Sequence, residues 1–78
     1  MNKLMMEILK DDKPQMSKQM CYNNDREFFT ALVTLCDELG VEVPIWTTSE
    51  ERILKKRGQL ELEMDNGLIL KICSSPAE

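Results

Sequence analysis

Apolar and polar positions alternate most regularly near the C-terminus, in Leu60-Glu61-Leu62-Glu63-Met64 and again in Leu68-Ile69-Leu70-Lys71-Ile72. A period of two is that of a strand with one buried face. The intervening Asp65-Asn66-Gly67 has turn chemistry, so the pattern predicts a β-hairpin over 59–73. Two registers compete. A two-residue Asn66-Gly67 loop would pair Leu62 with Lys71 and set the glutamates against apolar neighbours. A three-residue loop pairs Met64 with Leu68, Leu62 with Leu70 and Leu60 with Ile72, and puts Glu61 opposite Lys71. A one-residue slip turns every side chain over, so burial selects the three-residue loop, a type I turn with Gly67 in the left-handed position.

Helical periodicity is clearest over 24–39. Phe28, Leu32, Leu35, Cys36 and Leu39 form one stripe, widened by Phe29 and Val33. Asn24 with Glu27 makes a capping-box pattern, and Gly40 suits the left-handed stop. A second helix is expected over 48–57, opened by Thr48 with Glu51 and closed by Gly58, with Ile53 and Leu54 facing inward beside Trp46. Its charges run from Glu50 and Glu51 to Lys55, Lys56 and Arg57, the order that complements the helix dipole.

The remaining segments are less regular. Met1, Leu4, Met5, Ile8 and Leu9 recur at helical spacing, which predicts a short amphipathic helix over 1–10; the same residues also suit an edge strand. Pro14 would end that helix. Residues 11–23 read as irregular, anchored by Met20 and Tyr22. Val41, Val43 and Ile45 alternate as a short strand over 41–46, confined to an edge by Pro44. Ser74 to Glu78 read as a frayed polar tail. Together these give a small single α+β domain in the order α-α-β-α-β-β, its C-terminal antiparallel hairpin, alone or in a three-stranded sheet, packed on the central helix.

Composition narrows the chemistry. The 78 residues carry a net charge of -4 and no histidine. Without histidine the commonest general base and the usual triads are missing, and neither a phosphate loop nor a dinucleotide fingerprint is present, so catalysis is not expected. Asp37 and Glu38 are neighbours that diverge on a helix rather than pair. Cys21, Cys36 and Cys73 are odd in number and lack metal-ligand spacing, so no metal or cofactor is expected; Cys36 reads as a small core residue. Odd, unpaired cysteine suits a reducing compartment, and the start, interrupted by Glu7, lacks the features of a signal peptide. The expectation is a cytoplasmic protein with no membrane segment.

Two binding readings follow. In one, the 48–57 helix and the hairpin act as the recognition helix and wing of a winged helix, contacting nucleic acid through Arg52, Lys55, Lys56, Arg57 and Lys71. The long linker after Gly40, the acidic helix start and the acidic wing tip weigh against it, as does the acidic balance of the chain. The favoured reading is a non-enzymatic module acting by association with a protein partner or with its own copy. Its candidate contact residues are Met1, Leu4, Met5, Ile8 and Leu9 at the start, and Ile69 and Cys73 on the hairpin face away from the leucines. No small-molecule substrate is evident. A regulator, adaptor or inhibitor of a larger assembly would fit.

Overall fold

A computed structural model describes residues 1–64 and 67–76. The first 22 residues fold as strands: β1 (Asn2–Lys10) and β2 (Lys13–Tyr22). Two helices follow, α1 (Asp25–Leu39) and α2 (Thr48–Arg57), and then β3 (Gln59–Glu63) and β4 (Leu68–Pro76). All strand pairs are antiparallel, in the order β2-β1-β4-β3. The fold is α+β as expected, but its order is β-β-α-α-β-β.

The first segment corrects the helix reading. Leu4, Met6 and Ile8 are buried at 0%, 0% and 8% exposure, whereas Met5 between them is exposed. That is a period of two. The sequence there satisfies both periods, and Met6, on the polar side of the helical wheel, is the residue that separates them. Strand pairing with β4 sets Met6 beside Ile72 and Ile8 beside Leu70, which buries it. Nor is this an edge strand, because β1 lies between β2 and β4. The chain turns back through Asp11 and Asp12, whose φ values of 53° and 63° are those of a two-residue hairpin turn. Aspartate tolerates this left-handed region better than most residues. Asp11 and Asp12 therefore form a hairpin tip.

Residues 13–22 form β2, an edge strand where an irregular stretch is expected. It offers little pattern to the eye because Lys13 to Gln19 are all exposed. Pro14 lies opposite Leu9, where the register shifts between Ile8 and Leu9 and leaves Gln15 as the extra residue of a bulge. An edge strand with a bulge accommodates a residue that lacks an N–H.

The C-terminal hairpin has the expected register, with Leu60, Glu61 and Leu62 opposite Ile72, Lys71 and Leu70. Met64 N–H donates to Leu68 C=O at 2.7 Å, and Gly67 has φ 74°. The rest of the turn, Asp65 and Asn66, lies outside the described residues. The charged ends of Glu61 and Lys71 do not meet, since among the described residues the ion pair in contact is Lys55–Glu51. The tail is not frayed as far as Pro76: Ser74, Ser75 and Pro76 pair with Leu4, Lys3 and Asn2. Residues 77 and 78 lie outside the described residues.

α1 begins as expected. Asn24 caps it by accepting from Glu27 N–H at 2.9 Å, and Glu27 accepts from Asn23 N–H at 3.0 Å. α2 has the expected bounds, but its cap is Thr47 rather than Thr48: Thr47 accepts from Ser49 N–H and contacts Glu50. This leaves Glu51 to pair with Lys55 at 3.2 Å. Leu54 is buried, but Ile53 is exposed, contrary to the inward placement read from the sequence. Residues 41–46 do not form a strand. Val43 and Ile45 are exposed, while Val41 and Trp46 pack on the core, so the apolar alternation there does not mark a buried face. This linker runs beside β3, where Val43, Pro44 and Ile45 share a cleft with Leu62 and Met64.

Both helices lie on one side of the sheet. α1 crosses β2 and β1, and α2 crosses β3 and β4. Leu4, Met6, Ile8, Leu60, Leu70 and Ile72 from the sheet join Phe28, Ala31, Leu32, Leu35, Cys36 and Leu39 of α1 and Leu54 of α2 in one core. Met6→Ala is expected to lower unfolding free energy by about 2–5 kcal/mol, the usual cost of a core methionine truncation. A helical 1–10 segment would leave the change near zero; urea denaturation distinguishes the two.

Candidate functional site

Among the described residues no helix lies on the second face of the sheet. Alternation from the buried set assigns its residues: Lys3, Met5, Glu7 and Leu9 on β1, and Ile69, Lys71, Cys73 and Ser75 on β4. Register then builds rows across the strands. Ser17, Glu7, Lys71 and Glu61 form one row. Gln19, Met5, Cys73 and Gln59 form the next, and Leu9, Ile69 and Glu63 lie on the other side. The two central strands thus carry apolar pairs, Met5 with Cys73 and Leu9 with Ile69, on either side of a charged pair. The outer strands supply a polar margin. Antiparallel sheets with one solvated face usually turn polar residues outward; here half of the outward positions on β1 and β4 are apolar.

The candidate association residues separate by strand alternation. Leu4 and Ile8 are core residues and are withdrawn from the surface. Met1 is 69% exposed and precedes β1. Met5, Leu9, Ile69 and Cys73 come together on the open face, whereas helical spacing groups Met5 and Leu9 with Leu4 and Ile8. Glu7 and Lys71 were absent from that set. Both are half-buried at its centre, and the signal that would have found them is the two-residue period through Met6.

The basic residues do not form one surface. Arg52, Lys55 and Lys56 border a shallow depression with Thr48 and Glu51 on α2. Arg57 lies by Ile53, Gln59 and Glu61. Lys71 faces the opposite side of the sheet from α2. The hydrogen bond to Glu51, and then its charge, raise the Lys55 pKa. The hairpin is no free wing, because β4 is a central strand between β1 and β3.

The chain's four aromatic residues gather where α1 begins. Phe28 meets Tyr22 at 5.2 Å, Phe29 at 5.7 Å and Trp46 at 5.5 Å between ring centroids. Tyr22 Oη hydrogen-bonds Ser74 Oγ, tying β2 to β4 across the helix-side end of the sheet. Trp46 Nε1 is buried without a hydrogen-bond partner among the described residues. A cavity of about 50 Å³ lies here, between Tyr22, Asp25, Phe28, Glu51, Leu54, Lys55 and Ser74. Small-molecule sites usually have roughly 300–1,000 Å³, so this space suits ordered water rather than a substrate. Among the described residues no group of three or more Cys, Asp or Glu is placed to hold a metal ion, and no helix is long and apolar enough to cross a membrane.

The three thiols are free and differ in setting: Cys21 is exposed, Cys73 half-buried and Cys36 buried in the α1 core. Burial pushes the Cys36 pKa up from its ordinary 9.0. The folded state therefore holds this proton more tightly than the unfolded state, and the stability it contributes is present below pH 9.0 and lost as pH rises beyond it. Urea midpoints measured on either side of that pH should fall more for the wild type than for Cys36→Ala. A thiol reagent should label Cys21 first, Cys73 more slowly and Cys36 only on unfolding.

Comparison of the chain with protein-family models, with curated proteins and with solved structures gave no match.

Proposed function

We propose that this protein is a non-catalytic binding module that acts by protein–protein association through the open face of its sheet, as a regulator, adaptor or inhibitor of a larger assembly. One observation carries the reading: Met5, Leu9, Ile69 and Cys73 lie together on the two central strands, with no helix over them. An apolar centre within a polar margin of Lys3, Ser17, Gln19, Gln59, Glu61 and Glu63 is the anatomy of a protein interface. Methionine at such a centre adapts to a partner's shape.

The sheet edges suit association less well. β2 presents Pro14, a bulge, Lys13 and Lys18, the features by which natural sheets resist edge pairing. The linker before α2 runs beside β3. The absence of histidine from the chain favours binding over catalysis.

The test is the mass of the protein in solution, both purified and in extract of cells that express it, by fluorescence-detected sedimentation. The wild type is expected above monomer mass in at least one setting. Leu9→Lys with Ile69→Lys should cost roughly 2 kcal/mol or more of binding, about thirtyfold in Kd, with circular dichroism unchanged. Phe29→Lys and Ile53→Lys, on the helix side, should leave the complex intact. Monomer mass in both settings, or release by the helix-side substitutions, would overturn the reading.

A further inference from the structure

Charge order on the open face identifies an occupant. Glu7 and Lys71 sit at its centre, both half-buried, and neither charge is in contact with a counterion among the described residues. Burying such a face against a partner that offers no matching charges would leave each with only its cross-strand neighbours. The rows across the sheet show where matching charges exist.

We infer that the open face packs against the same face of a second copy of this chain, about a two-fold axis running along the strands between β1 and β4. The inference rests on the association reading above and names its partner. That axis reverses each row on itself. Glu7 then lies over the partner's Lys71, and Lys71 over the partner's Glu7. In the same operation Met5 meets the partner's Cys73, Leu9 meets the partner's Ile69, Gln19 meets the partner's Gln59, and Glu61 meets the partner's Ser17. No like charges coincide.

The other in-plane axis through the Glu7–Lys71 row, perpendicular to the strands, sets Glu7 over Glu7 and Lys71 over Lys71. Like-charge opposition excludes it. The self-complementary patch of the first axis is what a two-fold dimer requires. Facing sheets stack about 10 Å apart with strand directions within about 30°, a gap that a glutamate and a lysine bridge together.

The area is sufficient. Four strands at about 4.8 Å spacing and about 3.3 Å per residue give a flat footprint near 500 Å² per copy, or roughly 1,000 Å² for the pair, where specific interfaces begin. Side-chain relief adds to that figure. The resulting assembly is a sandwich of two sheets with helices on both outer sides.

The experiment exchanges charges between chains. Purified wild-type protein, reduced, is expected to sediment as a dimer. Glu7→Lys alone and Lys71→Glu alone should each weaken self-association at least about tenfold. An equimolar mixture of these two variants should associate within about threefold of the wild type, because the introduced lysine faces the other chain's glutamates. Both variants keep their unfavourable cross-strand pair within the chain, so recovery on mixing reports contact between chains alone. Should either variant fail to fold, a short bis-maleimide on wild-type protein provides the second measurement. Cys73 lies beside the axis and should join two copies, in Cys21→Ser as in wild type, and not in Cys73→Ser. A purified wild type that stays monomeric to millimolar concentration, or a mixture no better than its components, overturns the inference. If Leu9→Lys with Ile69→Lys nevertheless releases a complex in extract, the association reading stands with a different partner.

Discussion

The pairing of β1 with β4 is the contact on which the rest of the molecule depends. It joins the first ten residues to the last ordered strand and places both in the middle of the sheet. Each hairpin alone is a two-stranded ribbon, and such ribbons are marginal in water. Joined, they present Leu4, Met6, Ile8, Leu70 and Ile72 as one surface wide enough for both helices. The contact spans nearly the whole chain, so it closes the longest loop in the sheet.

The helices fix which face of that sheet is dry. α1 covers β2 and β1 with a stripe from Phe28 to Leu39, and α2 adds only Leu54 over β3 and β4. The weaker helix is held by its surroundings: Trp46 packs on Phe28, Phe28 on Tyr22, and Tyr22 hydrogen-bonds Ser74 of β4. That relay links β2, α1, the linker and β4 at one end of the sheet. Among the described residues the buried Trp46 indole N–H has no protein partner at this end, and a small cavity lies between Tyr22, Phe28, Leu54 and Ser74.

Much of this was legible in the sequence, where local rules decided alone. α1 has a cap, a stripe and a glycine stop that agree, and the C-terminal hairpin has one register that buries its leucines. β1 was illegible because Leu4, Met5, Ile8 and Leu9 fit a helix as well as Leu4, Met6 and Ile8 fit a strand; the deciding partner, β4, is some sixty residues away. β2 carries almost no apolar period, since most of it is exposed, and its turn uses Asp-Asp rather than a glycine. Residues 41–46 show the converse, an alternation with no sheet edge to satisfy. The surface followed the same division. The outward side of Ile69 and Cys73 follows from the hairpin register, which is local. Met5 and Leu9 were selected beside Leu4 and Ile8 on a helical face that does not exist, and only the strand period separates the outward pair from the buried one.

That separation also explains why a face, rather than an edge, is the surface proposed for association. A sheet can be extended by a strand or covered by a layer. Extension requires an edge with straight, unpaired backbone, and β2 interrupts its own with Pro14 and a bulge while the 41–47 linker runs beside β3. Covering requires only apolar area and charges that find partners. The open face has both on its two central strands, where a covering layer excludes water most completely. In the proposed association, glutamate and lysine at its centre would weaken nonspecific adhesion, because an unmatched surface would bury them with only each other as partners. The same pair would then favour a partner whose charges run in the reversed order.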